Sequence, residues 1–481
     1  MQTPKGFANE AVHESQSLHY HRNMKIPRPA LMVVCVAFAL CHQSAASEPF
    51  GIHVVDEATG RGVPMVTLTT VNQISLITDS AGWAAFNEPG LMNTRVFFSV
   101  SSPGYEFAKD GFGYAGKALQ TTPGATERLT VRRLFPAERL CRLSGQGIYR
   151  DSHLLGRAVP HPRPLLDGNV IGLDSVQVTP FQGGLLWIWG DTSLPGYPIG
   201  NFHATGAFSD LPSRGGMHPA HGIVYDYFTD PATGSVKKLA PMDKPGPVWL
   251  FGLLTVNDDA GVERVVAHYS RHKNLAEIHE HGLMAYDPAQ RQFVKTRELP
   301  LEESWRFPRG HALRVTGSDG DHFYFCDPFP VTRVAARLES VTDPNAFEAL
   351  QFDSVAGQWI WQKEKPPLMT EDEAKLLKSG AMSPGQARLQ IRDPKGQTVL
   401  PHGGTLQWNP YRQRWVLVFI QKHVKASFLG ELCYAESREL TGPWGPAVQI
   451  ASHPRQSFYN PAHHAALDQQ NGRFIHIEGT Y

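Results

Sequence analysis

The sequence predicts an all-β protein in which a small β-sandwich precedes a five-bladed β-propeller. The first observation is a repeated apolar run that ends in polar residues. GGLLWIWGDTS reaches Asp191, and DHFYFCDPF, RWVLVFIQK, RFIHIEGTY and ERVVAHYSRH end in the same way. The second is composition, since 44 Gly and 37 Pro in 481 residues indicate many turns. A strand pair repeated five times is typical of propeller blades.

The N-terminal residues 1–46 have the pattern of an export signal. A basic flank at Lys25 is followed by the apolar run Ala30–Cys41 and by the small residues Ser44–Ala46, with Met24 as an alternative start. The run is too short to span a bilayer. The other interpretation is a short buried core segment. We expect a secreted or periplasmic protein with no stable membrane span after signal removal.

The charge balance argues against nucleic acid as a partner. The chain carries 45 basic and 45 acidic residues, which leaves no electrostatic footprint for a polyanion. Its length suits a globular protein of two or more domains.

Residues 48–135 are predicted to form the sandwich, an accessory domain. DEATGRGVPMVTL and TDSAGWAAF give short strands around Gly-rich turns. These motifs resemble the carboxypeptidase-regulatory or transthyretin-like sandwiches attached to secreted enzymes. The resemblance implies a supporting or binding module.

Residues 140–481 are predicted to form the propeller, each unit being strand A, a turn and strand B. The pairs are GLDSVQVTPF with GGLLWIWGDT, VWLFGLLTV with ERVVAHYS, RGHALRVTG with DHFYFCDP, HGGTLQWN with RWVLVFIQ, and HHAALD with RFIHIEGTY. The last blade is expected to be truncated, unless residues near 138–160 complete it. One helix is predicted between units three and four, with a capping box at Thr370 and Glu373 and a stop at Gly380.

The start of strand A and the end of strand B lie on one side of an antiparallel hairpin. Polar residues at these positions should therefore converge at one end of the channel. They are Asp174, Asp191, Arg271, Arg309, His311, Asp327, His402, Gln421, Glu431, Asn460, His463, His464 and Glu478. We expect a common pocket lined by Asp174, Asp191, His311, Asp327, His402, His463 and Glu478.

Three segments carry a family resemblance. WIWGDTSLPG, GNFHATGAFS and LCYAESRELTGPWGPAVQI resemble five-bladed propeller glycosidases of the arabinanase, levansucrase and endo-D-arabinanase-like kind. The resemblance covers residues 140–481. It implies an aspartate base or nucleophile near the start of the first blade, at Asp174 or Asp191. It also implies a later glutamic acid, at Glu478 or Glu431.

The expected function is a secreted glycoside hydrolase that acts on a polysaccharide or oligosaccharide. Such cleavage needs two carboxyl groups flanking the scissile bond. We assign Asp174 as base or nucleophile, Asp191 as its electrostatic neighbour and Glu478 as acid. The alternative for both aspartates is a structural turn. Residues assigned to substrate binding are Arg271, Arg309, His311, Asp327, His402, Gln421, Glu431 and Asn460.

The histidines leave other chemistries open. His402, His463 and His464 are candidates for binding a divalent metal, the one cofactor considered. They could instead transfer protons in a polysaccharide lyase, with Arg271 or Arg309 neutralising a uronate carboxylate. A third alternative is a non-catalytic propeller that binds glycan or protein.

Overall fold

The computed structural model describes residues 48–145, 147–201, 203–274, 277–302, 304–423, 429–454 and 458–480. The predicted export signal lies outside the described residues. Chain contacts separate two units, Met1–Ala46 and Ser47–Tyr481, and the second holds every element below. Within the described residues, no helix has the length and apolar character needed to cross a membrane. The predicted fold class, an all-β sandwich followed by a five-bladed propeller, is confirmed.

The sandwich consists of two four-stranded sheets. Its strands are β1 (Phe50–Asp56), β2 (Thr67–Thr70), β3 (Ser75–Ile77), β4 (Trp83–Phe86), β5 (Arg95–Ser101), β6 (Tyr105–Glu106), β7 (Gly116–Gln120) and β8 (Thr126–Arg133). One sheet has the order β4-β1-β8-β6 and the other β3-β2-β5-β7. Alternation of apolar and polar residues along β5 directs Val96, Phe98 and Val100 into the shared core.

A short helix joins the sandwich to the repeats. This helix is α1 (Arg150–Leu154). In its first turn, the backbone amide of Ser152 donates to Asp79 Oδ2 of the sandwich at 2.6 Å. Asp151 Oδ1 accepts in turn from the backbone amide of Ala85 in β4, at 2.9 Å. Burial raises the pKa of both carboxyl groups. The sandwich is therefore held to the start of the propeller by buried hydrogen bonds.

The first two blades follow. Blade one and its extension contain β9 (Gly172–Asp174), β10 (Gln177–Phe181), β11 (Gly184–Trp189), β12 (Asp191–Leu194), β13 (Tyr197–Asn201), β14 (Thr205–Ser209) and β15 (Asp226–Tyr227). Blade two contains β16 (Val248–Asn257), β17 (Glu263–His272), β18 (Ile278–Asp287) and β19 (Gln292–Leu299). The main sheets are β10-β11-β14-β15 and β16-β17-β18-β19, and β13-β12-β9 forms a small third sheet.

The remaining blades complete the ring. Blade three contains β20 (His311–Gly317), β21 (Gly320–Cys326), β22 (Pro330–Ala335), α2 (Leu338–Val341), β23 (Glu348–Asp353) and β24 (Gln358–Gln362). An insertion holds α3 (Thr370–Ser379), β25 (Ile391–Arg392) and β26 (Thr398–Val399). Blade four contains β27 (Pro401–Asn409), β28 (Arg414–Gln421), β29 (Glu431–Ser437) and β30 (Val448–Ser452); the described strands of blade five are β31 (Tyr459–His463) and β32 (Ile477–Thr480).

The innermost strands surround a central channel. Strands β10, β16, β20, β27 and β31 are neighbours in that order. A cavity of about 430 Å³ lies among them and is lined by residues from every blade. Blade five meets blade one where Thr480 Oγ1 donates to the carbonyl of Leu173 at 3.2 Å. This contact closes the ring.

The fifth strand pair differs from its prediction. The segment predicted as strand A, His463–Asp468, contains a 3₁₀ turn at Ala465–Leu467, and the inner strand is the preceding β31. The physical cause is Asp468, whose carboxylate accepts from His463 Nε2 at 2.9 Å and from the backbone amide of His476 at 3.1 Å. These bonds turn the chain back on itself.

The inserted helix is confirmed at its end and corrected at its start. Gly380 terminates α3 with a φ of 75°, the left-handed geometry that favours glycine. The capping box is wrong, because the N-cap is Met369 and Glu373 bonds elsewhere. The buried Glu373 carboxylate accepts from the backbone amides of Arg388 and Leu389, so it fastens the segment that follows the helix.

Candidate active site

Polar side chains converge where blades one, two, three and five meet at one end of the channel. We call this group the funnel mouth, and define it by Asp174, Asp191, Trp249, Arg309, Asp327, Tyr459 and Asn460. Each lies at or next to the start of an innermost strand or the end of its partner strand. This is the convergence that hairpin geometry predicts.

Two carboxyl groups face each other across neighbouring strands. Asp174 in β9 and Asp191 in β12 are directly opposite in an antiparallel ladder, so their side chains share one face. Burial, reinforced by the charge of Asp191, raises the pKa of Asp174 to about 6. Like charges placed directly opposite destabilise a sheet. Because the pair is unfavourable for the sheet itself, it is a candidate for chemistry.

Blade two orients the second carboxylate. Trp249 Nε1 donates to Asp191 Oδ1 at 2.8 Å, and burial raises the pKa of Asp191. The Trp249 ring packs edge-on against His272, with ring centres 4.3 Å apart. A Cβ added at Gly190 would lie 3.1 Å from the Cβ of Ser175 and 3.6 Å from Trp249 Cδ1. Glycine before Asp191 therefore leaves room for Ser175 of the same blade, while Trp249 of blade two lies at ordinary contact distance.

Blade three contributes opposite charges to the mouth. Arg309 lies over the Phe251 ring at 5.1 Å, and burial lowers its pKa while Asp327 acts to raise it. Burial raises the pKa of Asp327, opposed by the charges of Arg309 and Lys422. Both side chains reach solvent, because the funnel is open although protein surrounds it. The mouth thus offers a cation and a carboxylate to a polar ligand.

Blade five completes the mouth. Asn460 Nδ2 donates to Ser175 Oγ at 2.8 Å, which places Asn460 beside Asp174. Burial raises the pKa of the neighbouring Tyr459, and the charge of Asp174 raises it further. The Tyr459 side chain remains 39% exposed, so its ring is available to a ligand.

Gly403 of blade four faces two side chains of the mouth, Asn460 and Asp327. A Cβ at this position would lie 3.4 Å from Asn460 Oδ1 and 3.6 Å from Asp327 Oδ1. We expect Gly403→Leu to occupy this space and to raise KM at least about tenfold on a substrate that turns over, whereas Gly403→Ala stays near wild type, since one methyl meets ordinary contacts. Steady-state kinetics measure the effect, and thermal melting checks folding. An unchanged KM in Gly403→Leu would place the ligand elsewhere.

Several predicted site residues lie outside the mouth. The carboxylate of Glu478 is 2.9 Å from His464 Nε2, and it faces the buried phenols of Tyr225 and Tyr227. The side chain of Arg271 is buried and donates to Glu280 at 2.9 Å and to the carbonyl of Pro245 at 2.8 Å. Arg271 is therefore committed to the interior of blade two.

The other predicted binding residues lie around the mouth without joining it. Burial lowers the pKa of His311 to about 4, so it is neutral at pH 7. Burial and Lys422 lower the pKa of His402. Gln421 and Glu431 are cross-strand partners in blade four, and Glu431 Oε1 accepts from the hydroxyl of Ser452 at 3.0 Å.

The metal site predicted at His402, His463 and His464 is not formed. In the part of the chain that the structure describes, no group of three or more His, Cys, Asp or Glu could hold a metal ion. The Nε2 atoms of His463 and His464 are engaged by Asp468 and Glu478. Since β31 ends at His463 instead of starting there, both histidines lie by the central cavity, away from the mouth.

Sequence reasoning missed two residues of the mouth, Trp249 and Tyr459. It also missed two residues beside the mouth, Ser175 next to Asp174 and Lys422 near Asp327. Trp249 is near the start of strand A in unit two, and Lys422 follows the end of strand B in unit four. The hairpin rule that found Asp174 and Asp191 could have found both.

No protein-family model matches the chain, and no curated protein matches it. Among solved structures, it is similar to an exo-β-1,3-galactanase from Phanerochaete chrysosporium, with 9% identity over 58% of this chain and 50% of that chain and a TM-score of 0.29. A GH43_1 enzyme from Xanthomonas citri gives 10% identity over 61% of this chain and 78% of that chain, with a TM-score of 0.31. This chain spans about half the length of the galactanase.

Proposed function

We propose that the protein is a glycoside hydrolase that cleaves a polysaccharide with retention of anomeric configuration, outside the cytoplasm. The observation that carries this proposal is the Asp174–Asp191 pair across β9 and β12. The export signal predicted from the sequence supports the location.

The spacing of the pair favours retention. Directly opposite residues of an antiparallel pair have Cβ atoms about 4.5–5.5 Å apart, so aspartate side chains that leave the sheet side by side hold their carboxyl groups at a similar separation. Retaining glycosidases hold their two carboxyl groups about 5–5.5 Å apart, whereas inverting enzymes need about 6.5–9.5 Å to admit a water molecule. A cross-strand pair of aspartates therefore suits attack by one carboxylate on the sugar.

The environments of the two carboxyl groups assign their roles. With a pKa raised to about 6, Asp174 holds a proton in mildly acidic conditions and can donate it to the glycosidic oxygen. Asp191, oriented by the indole N–H of Trp249, attacks the anomeric carbon and forms a glycosyl ester. Asp174 then takes a proton from the water that hydrolyses the ester. These proposed roles differ from the assignment made from the sequence, in which Asp174 is the base or nucleophile, Asp191 its electrostatic neighbour and Glu478 the acid.

The rest of the mouth suits sugar binding. Arg309 and Asp327 can donate to and accept from hydroxyl groups, and the exposed Tyr459 ring can stack on an apolar sugar face. Subsites on separate blades fit an extended chain of sugars.

The test is a panel of polysaccharides, assayed for new reducing ends with and without a chelator. Proton NMR of the first product then reports its anomeric configuration. We expect retention, and an inverted product would rule out the Asp174–Asp191 pair. An ultraviolet-absorbing unsaturated uronate would instead indicate a lyase, and binding without turnover would indicate a non-catalytic propeller.

The rate should also depend on pH through Asp174. Because its pKa is raised to about 6, kcat/KM should fall as the pH rises above that value and the acid loses its proton. Replacing Tyr459 with Phe keeps both carboxyl groups and should keep this basic limb. If the basic limb of the pH profile of kcat/KM kept the same pKa in every variant of the funnel mouth, the acid would be a group elsewhere.

A further inference from the structure

The last blade reaches Asp174 through a chain of hydrogen bonds. Asn460 Nδ2 donates to Ser175 Oγ at 2.8 Å, and Ser175 Oγ donates to Asp174 Oδ1 at 3.1 Å. Thr480 of β32, whose hydroxyl donates to the carbonyl of Leu173, lies beside the same carboxyl group and acts to lower its pKa. Residues far apart in sequence thus meet on one carboxyl group.

The direction of this chain is set by chemistry. A carboxylate only accepts, a hydroxyl has one proton, and an amide nitrogen only donates. When Ser175 Oγ accepts from Asn460, its own proton is left to point at Asp174. Without the Asn460 amide, the Ser175 hydroxyl could rotate away.

The backbone is bent to make this contact. Ser175 has a φ of 59° and Asn460 a φ of 46°, both in the left-handed region that residues other than glycine, asparagine and aspartate seldom adopt. Outliers of this kind persist where the surrounding structure enforces them, often at functional sites. Here they bring two side chains from different blades into contact.

We propose that Asn460 and Ser175 are positioning residues that hold the Asp174 carboxyl group and favour its charged form, rather than groups that bind substrate. The consequence for turnover rests on the proposed function, whereas the effect on Asp174 itself does not. It also gives Asn460 a role different from the substrate binding that the sequence predicts.

Several other groups act on the same carboxyl. Burial and Asp191 raise the pKa of Asp174, and the Ser175 bond opposes them. Tyr459 approaches from β31, and its phenol is near Asp174, Ser175 and Asp327. The effect of the Ser175 hydrogen bond on the pKa of Asp174 must therefore be measured by removing the Ser175 hydroxyl while these other groups stay in place.

The experiment is a carbon-13 NMR titration of the full chain labelled at aspartate carboxyl groups, with no substrate present. The signal of Asp174 is the one lost in Asp174→Asn. Asn460→Asp keeps the shape and tolerates the left-handed backbone, but it replaces the donor by a charged acceptor. We expect the pKa of Asp174 to rise by about one unit or more. Ser175→Gly, which removes the hydroxyl and suits the positive φ, should also raise it.

A matched control is Asn471→Asp. Asn471 also has a positive φ, 59°, but lies in an exposed turn. We expect no change in the pKa of Asp174 there. If Asn460→Asp and Ser175→Gly both leave that pKa unchanged, the positioning role is wrong.

Kinetics separate positioning from binding. Asn460→Gly should lower kcat several-fold with KM unchanged, and should shift the basic limb of the pH profile. A higher KM with unchanged kcat would overturn the proposal and return Asn460 to substrate binding. If the pKa shifts as expected but no polysaccharide is cleaved, the positioning role stands and the hydrolase proposal fails.

Discussion

Asp191→Asn and Asp174→Asn should each lower kcat by about 10²–10⁴-fold on a polysaccharide that the wild type cleaves, because each removes one half of the proposed acid and nucleophile pair. The asparagine side chains keep the size and most hydrogen bonds of the aspartates. Substrate binding, measured by calorimetry, should therefore persist. Asp259→Asn, in an exposed turn, is the control and should keep full activity.

Chemical rescue separates the two roles. In Asp191→Gly, azide can occupy the vacated space and attack the anomeric carbon, so added azide should restore turnover and yield a glycosyl azide. The configuration of that azide reports which face of the sugar Asp191 approaches. Near-wild-type rates in both asparagine variants would show that the pair is structural.

Asp174→Asn should also stabilise the fold at neutral pH. The folded pKa of Asp174, about 6, lies above the ordinary value of 3.8. Its contribution to stability is therefore complete below pH 3.8 and is lost as the pH rises through 6. Asp174→Asn avoids that loss, so its free energy of unfolding should exceed that of the wild type at pH 8, by an amount on the order of 1–3 kcal/mol. At pH 4 the two proteins should be nearly equal.

Glu280→Gln should destabilise the protein by about 3–5 kcal/mol, because it leaves a buried cation without its partner. The carboxylate of Glu280 accepts from Arg271 at 2.9 Å, Lys295 at 2.9 Å, Lys244 at 3.1 Å and the Tyr269 hydroxyl at 2.9 Å. These bonds outweigh burial and lower the pKa of Glu280. Urea unfolding measures the loss.

A neighbouring glutamate provides the control. Glu298 also binds Lys295, at 2.7 Å, but its side chain is 52% exposed. Glu298→Gln should cost less than about 1 kcal/mol, as is usual for surface ion pairs. If Glu280→Gln instead left stability intact and raised KM, Arg271 would bind substrate, as the sequence predicts.

The fold was predictable where periodicity is strong. Strands β16, β21 and β28 combine apolar runs with turn residues at both ends, and their pairing follows from sequence order. Strand A of the fifth unit was predicted in the wrong place because its two histidines and the alanines after them resemble a short strand. The bonds that make this segment a turn come from Asp468, whose partners the sequence does not reveal.

The sequence predicts where the site lies better than it predicts which hydrogen-bond partners its side chains have. The hairpin rule predicts Asp174, Asp191 and Asp327 at one end of the channel, and the structure places them at the funnel mouth. The same rule could not show that Arg271 bonds Glu280 or that Glu478 bonds His464. Those pairings depend on which side of a strand each side chain occupies after the sheets twist and pack.

The junction between the sandwich and α1 has a consequence for how the molecule denatures. One carboxylate oxygen of Asp79 accepts hydrogen bonds from the backbone amides of Ala81 and Trp83 within the sandwich. The other oxygen accepts a hydrogen bond from the backbone amide of Ser152 in α1. A carboxylate shared in this way cannot lose one set of partners without weakening the other. Sandwich and propeller should therefore melt together in one cooperative calorimetric transition. The sandwich behaves as part of a single folding unit, and grafting it onto another protein would leave Asp79 Oδ2 without its donor, the amide of Ser152.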